Sequence, residues 1–160
     1  MMITPEIKII APVTLAGINR PMSYLQNETQ KLWQTFIPLS KQIQHKSNSD
    51  FYSLQIFPDN FFEAFDPTRS FEKWALVPVA STIELPEPCT SFILEGGLYA
   101  IFHHKGNDPS IFQNIYSTWI PNSSYKIDNR PHFEILGEKY KNGHPESEED
   151  IYIPIVPRHN

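Results

Sequence analysis

Short apolar and polar residues alternate along six runs of this chain: "KIIAPVTLAGI" at 8–18, "SLQIF" at 53–57, "WALVPV" at 74–79, "TSFILEGGLYAIFHH" at 90–104, "HFEIL" at 132–136 and "DIYIPI" at 150–155. Rich in β-branched and aromatic residues, each reads as a strand. Two other stretches carry a helical period. Leu25, Leu32, Phe36 and Ile43, with Trp33 beside them, mark one helix, which Pro38 is expected to interrupt. Ile111, Ile115, Thr118 and Trp119 mark a second, opened by Asp108 as N-cap with Pro109 at the first helical position and expected to end before Pro121.

These elements repeat. "TFIPLS" at 35–40 echoes "TWIPNS" at 118–123, "SLQIF" echoes "HFEIL", and "WALVPV" echoes "DIYIPI". Three matches in one order make chance a poor explanation. Each half, about 6–82 and 88–157, then reads strand, helix, strand, strand. The expected fold is α+β, with one domain over 1–160: two strand-helix-strand-strand units form a single antiparallel sheet, and two main helices cover one face.

Composition narrows the function. The chain has 160 residues, with 40% hydrophobic and 13% aromatic residues, enough for one sizeable core. Its net charge is -5 and it has no Lys/Arg run, so direct nucleic-acid binding is not expected. No stretch of about 18 apolar residues is present to span a bilayer, and the N-terminus lacks a leader pattern, which points to a cytoplasmic protein with no membrane partner. Cys89 stands alone and cannot form an internal disulfide.

The candidate chemistry centres on Glu134 in "PHFEIL". On a strand, His132, Glu134 and Leu136 share one face, and Phe133 and Ile135 take the other. Phe133 and Ile135 are assigned to the helix-covered core, so Glu134 is expected on the second face, either in water or in an aromatic cavity where a cation would compensate it. The repeat places Gln55 at the matching position of the first half, so only one half carries the charge. The aromatics Trp33, Phe36, Tyr52, Phe57, Tyr99, Phe102, Trp119 and Tyr152 mostly fill the core, and a few are expected to line a pocket through stacking or cation–π contact.

Other chemistries find little support. Adjacent strand residues His103 and His104 point to opposite faces, and neither HExxH nor zinc-spaced Cys/His pairs occur, so no metal or cofactor is expected. "ESEED" at 146–150 reads as a solvated loop and "EGG" at 95–97 as a bulge or bend. There is no GxSxG nucleophile motif.

The run "GGLYAIFHHKGNDPSIFQNIYSTWIPNSSYKIDNRPHFEIL", followed by "SEEDIYIPI", resembles the GyrI-like small-molecule-binding domain, found also as the effector-binding domain of AraC-type regulators. The first half resembles it more loosely, through "PVTLAGI", the helix around Trp33 and "WALVPV". The resemblance implies a ligand cleft near the pseudo-twofold junction. It also implies lipophilic, often cationic ligands, and a glutamate matched here by Glu134 among aromatics drawn from Trp33, Phe36, Tyr99, Phe102, Trp119 and Tyr152. Because the resemblance begins near residue 1, a stand-alone form without a DNA-binding module is expected, which makes DNA gyrase or a regulator protein a candidate partner. Some members hydrolyse cyclopropane-type toxic compounds, which would make Glu134 catalytic, as a general acid/base assisted by the hydroxyl of Tyr99 or Tyr152. The leading expectation is a binding protein rather than an enzyme.

Overall fold

The computed structural model describes residues 4–82 and 84–158. Nine strands and two main helices follow in the order β1 (Glu6–Ile10), β2 (Val13–Met22), α1 (Thr29–Ser40), β3 (Phe51–Ile56), β4 (Phe71–Pro78), β5 (Thr90–Leu94), β6 (Gly97–Lys105), α2, β7 (Tyr125–Ile127), β8 (His132–Leu136) and β9 (Glu148–Pro157). Helix α2 starts as Ser110–Asn114, widens into a π-helical stretch Ile115–Trp119 and finishes as Ile120–Asn122. The expected α+β architecture is present: one antiparallel sheet joins the two halves through β3 and β8, with Ser53 opposite Glu134, Leu54 opposite Phe133 and Gln55 opposite His132.

The halves also exchange their leading strands. The 8–18 and 90–104 runs, expected to be one strand each, are both bent, at Ala11–Pro12 and at Glu95–Gly96. β1 pairs with β6 of the second half, whereas β5 pairs with β2 of the first. Register passes through the bends unchanged, from Glu6 opposite Ile101 and Ile10 opposite Gly97 to Val13 opposite Leu94 and Gly17 opposite Thr90. Because β2 also pairs with β4 and β6 with β9, this ladder closes the sheet on itself. Pro12 has no N–H to give the ladder, and Gly96 and Gly97 adopt φ of +83° and +114°, which side chains resist, so "EGG" is the expected bend. Arg130 ties the bend down by donating to the carbonyls of Gly96, Leu98 and Ile155 at 2.9, 2.7 and 3.1 Å. Its guanidinium lies 4.8 Å from the Tyr99 ring centroid, a cation–π distance.

Neither helix stops at its proline. Pro38 lies inside α1, where it and Gln34, whose carbonyl loses its partner, are both exposed and open to water. In α2 the wide π-helical turn precedes Pro121 and relaxes the crowding that its ring would impose on a regular helix. The helix begins one residue later than expected, with Pro109 at the cap position, and Asp108 accepts a 2.9 Å bond from the Ser110 N–H just before it. Leu25 and Ile43 fall outside α1, and Leu25 is exposed in the loop before it. "ESEED" is only partly loop, because its last three residues open β9.

Three apolar clusters hold these layers together. Leu32 and Phe36 of α1 pack with Ala16, Ala75 and Val77, and Ile115 and Ile120 of α2 pack with Ala100, Phe102, Ile151 and Ile153. The third cluster, Leu15, Tyr52, Leu54, Leu76, Leu94, Tyr99 and Phe133, fills the reverse face inside the closed sheet. Phe133 and Ile135 belong to this reverse face, which corrects the expectation that the helices cover them. Glu134 and His132 therefore lie on the helix side. Both faces of the central strands are buried, so alternation alone could not tell them apart.

β2 and β4 approach so closely that a Cβ on Gly17 would lie 1.9 Å from the Ala75 carbonyl oxygen. Gly17→Ala is expected to destabilise the fold by roughly 3 kcal/mol or more, because backbone must move, and to lower the melting temperature sharply. A melt within about 2 °C of wild type would contradict this packing.

Candidate functional site

Helix α1 packs over β2 and β4, and α2 over β6 and β9, so the central pair β3–β8 lies in the gap between them. Alternation sends Ser53, Gln55, His132 and Glu134 into this cleft. The two positions matched by the repeat lie close there: the Gln55 amide donates to the Ser53 hydroxyl at 3.4 Å, and it helps to hold the Glu134 carboxyl ionised. Ser53 and Gln55 are buried, and Glu134 is half-buried.

Aromatic groups cover the cleft. The segment joining β3 to β4, "FPDNFFEAFDPTRS", brings Phe57 to 4.9 Å from the His132 ring, edge-on, and stacks Phe62 on Tyr116 at 4.1 Å and 10°. Tyr116 sits in the π-helical stretch, and its hydroxyl hydrogen-bonds His132 Nδ1 at 2.8 Å. The stack thus joins the loop of one half to the helix of the other. At the α1 wall, Trp33 packs edge-on against Phe51 at 5.8 Å, and Phe51 pairs with Leu136, two residues beyond Glu134 on the same face.

Desolvation dominates the electrostatics here. It pushes the Glu134 carboxyl up to about 7; Lys73 and the Gln55 hydrogen bond oppose this, and the nearby Glu149 carboxylate adds to it. Burial pushes His132 down to about 3, so its imidazole is neutral. The hydroxyls of Tyr24 and Tyr116 are raised mainly by desolvation, with Glu134 contributing, and both stay protonated. A carboxyl poised near neutrality beside neutral hydrogen-bonding groups can hold a cation or exchange a proton.

The residues singled out from the sequence fall into separate groups. Glu134 lies on the helix side of β8, and Trp33 packs with Phe36 and Phe51 in the α1 cluster. Phe36 is fully buried beneath α1, while Phe102 is fully buried beneath α2, 5.3 Å from Trp119. Tyr99 and Tyr152 lie on the reverse face against Phe133, at 5.3 and 4.4 Å, and the structure does not bring them to Glu134. The fully buried Tyr99 donates to the Pro131 carbonyl at 2.8 Å. Sequence reasoning missed Lys73, Glu149, Phe62, Tyr116 and Tyr24, although four phenylalanines in nine residues of the β3–β4 segment were a signal. His103 and His104 do point to opposite faces: His103 bonds Glu148 and Asp150 outside, and His104 approaches Glu149 on the helix side. Among the described residues, no His, Cys, Asp and Glu group is arranged to hold a metal. Among the described residues, no helix is long and apolar enough to cross a membrane. A depression of about 230 Å³ at the β5–β6 bend, lined by Phe92, Tyr99 and Arg130 among others, contains none of the charged groups around Glu134, and its carboxylate Glu95 is exposed. The desolvated chemistry lies in the interhelical cleft.

The chain belongs to the Cass2 family of integron-associated effector-binding proteins, whose profile matches residues 6–155. It is similar to the transcriptional regulator BrlR of Pseudomonas aeruginosa, at 30% identity over 129 residues, 78% of this chain. The match spans 45% of BrlR, so this chain corresponds to less than half of that protein's length. Among solved structures, SAV2435 bound to tetraphenylphosphonium shares the fold with a TM-score of 0.71 at 16% identity, covering 95% of this chain and 93% of that one. A hydrolase encoded by lin2189 of Listeria innocua shares it with a TM-score of 0.62 at 10% identity, covering 96% and 92%.

A carboxyl whose folded pKa lies above its unfolded value binds its proton more tightly when folded. Its burial is therefore tolerated below the unfolded value of 4.5 and destabilises increasingly as pH rises toward 7. The full effect is at most about 3 kcal/mol, reduced by any solvent reaching the half-buried group. Glu134→Gln is expected to melt higher than wild type at pH 8, with the gain shrinking toward pH 5. Losing Lys73's counter-charge limits that gain. A difference independent of pH would show that Glu134 is not desolvated.

Proposed function

We propose that this protein binds lipophilic cations in the cleft between α1 and α2, with Glu134 supplying the counter-charge and Trp33, Phe62 and Tyr116 the aromatic contact. The observation that carries this is a carboxyl group held near neutrality inside an aromatic-walled gap. A ligand cation beside it restores its ionisation and replaces the water it has lost. Aromatic faces favour the same ligands through cation–π attraction. Support also comes from SAV2435, which carries a lipophilic cation on the same fold. In this reading the protein senses or sequesters its ligand, and the similarity to BrlR favours a regulatory setting.

A second reading rests on the same poised carboxyl. With a pKa near 7, Glu134 suits a general acid/base role, activating water against a strained electrophile of the cyclopropane type. A Listeria innocua protein with the same fold is described as a hydrolase, which supports this reading. Product formation is the discriminating feature.

Calorimetric titration with tetraphenylphosphonium is the test. Wild type is expected to bind one equivalent, more tightly at pH 8 than at pH 5 because the ionised carboxylate is the binding form, and Glu134→Gln is expected to lose about tenfold or more in affinity. Equal affinity in both proteins would remove Glu134 from the site. Catalytic turnover of a cyclopropane-bearing substrate, abolished in Glu134→Gln, would favour the hydrolase reading instead.

A further inference from the structure

The cleft is not uniformly negative. On β4, Lys73 pairs with Gln55, which pairs in turn with His132, so these three share the row beside Ser53 and Glu134. Strand alternation puts Lys73 on the same face as Ala75 and Val77, which pack under α1, and hence on the Glu134 side of the sheet. Two strand spacings, roughly 10 Å, separate the β4 and β8 backbones. Long side chains bridge most of that span.

A lysine in "FEKWALVP" ordinarily stands in water, yet this one is half-buried. Among the described residues, no carboxylate comes within 4.0 Å of its ammonium. Burial favours loss of its proton, whereas the charges of Glu134 and Glu149 across the cleft favour keeping it. Glu149 reaches the cleft from β9 on the face of Ile151 and Ile153, with His104 at 3.4 Å. A polar diagonal therefore crosses the sheet between the helices: Lys73 on β4 beside Gln55 on β3, then Ser53 beside Glu134 on β8 one row along, then Glu149 on β9, two residues from the Ile151 that pairs with Glu134.

We propose that Lys73 makes the cleft bipolar and that its preferred ligand is a zwitterion, a lipophilic cation with a carboxylate at its other end. The cation meets Glu134 and the carboxylate meets Lys73. This deepens the reading of Glu134 as counter-charge and rests on it. A plain monocation satisfies Glu134 but leaves the ammonium half-desolvated, without a direct partner and facing a like charge. A zwitterion compensates both ends, and Gln55 and Ser53 offer hydrogen bonds between them.

Two probes of matched size test this: (4-carboxybutyl)triphenylphosphonium and pentyltriphenylphosphonium, titrated calorimetrically into wild type, Lys73→Met, Lys73→Gln and Glu134→Gln, each first checked for a cooperative melt. Wild type is expected to prefer the carboxylated probe by about tenfold. Both Lys73 variants are expected to lose that preference and to bind the pentyl probe at least as tightly as wild type does. Glu134→Gln is expected to weaken both probes. Absence of discrimination in wild type, or discrimination that survives in both Lys73 variants, overturns the role of Lys73 and leaves the Glu134 reading standing if both probes still depend on that residue. If neither probe binds wild type, the cation-site reading itself fails, and the bipolar cleft fails with it.

Discussion

The pairing of β3 with β8 is the constraint on which the rest of the molecule depends. It joins the two halves at their pseudo-twofold junction and brings Gln55 within hydrogen-bond reach of Glu134. Each helix packs mainly over its own half and reaches the junction strands at their ends, α1 through Trp33 and Phe36 on Phe51 and α2 through Tyr116 on His132. Among the described residues, Ser53, Gln55 and His132 are buried polar side chains on this pair. A one-residue slip of this ladder would turn Glu134 into the apolar reverse face and Phe133 into the cleft.

Closure of the sheet makes that register firm. The exchanged strands β1 and β5 bind each half to the other along residues 6–17 and 90–101, and Arg130 secures the bend between β5 and β6. Tyr99, Tyr52 and Phe133 then fill the enclosed reverse face. That rigid side supports a cleft whose cover is built differently. Phe57 and Phe62 come from an irregular segment, and Tyr116 comes from the one stretch of α2 that departs from α-helical geometry. The same π-helical turn that accommodates Pro121 thus delivers the hydroxyl that meets His132.

Much of this was legible beforehand. The repeat of "SLQIF" and "HFEIL" located β3 and β8, and it matched Gln55 to Glu134, two polar residues that share one face of the paired strands. The strand exchange was not legible, because pairing between distant segments leaves no trace in local alternation, and only Pro12 and the Gly96–Gly97 pair hinted at the bends. Helix ends were misjudged at Pro38 and Pro121 for opposite reasons: exposure relieves the first and a wider turn relieves the second. The face of Glu134 was misassigned because Phe133 and Ile135 look like helix-covered residues but fill a second, sheet-enclosed core. Tyr99 and Tyr152 followed them to that side. Lys73 escaped notice since an isolated lysine on a strand normally marks solvent, and its burial depends on three neighbouring strands at once.

The proposed function rests on one electrostatic imbalance, a carboxyl group deprived of water and incompletely compensated by Gln55 and a distant ammonium. The most direct measurement is the ionisation of Glu134 itself, followed by carboxyl carbon NMR in protein labelled at glutamate and assigned with Glu134→Gln. A midpoint near 7 in the free protein, falling when tetraphenylphosphonium is added, is the expected result. An ordinary carboxylate midpoint near 4.5, unchanged by the cation, would contradict it.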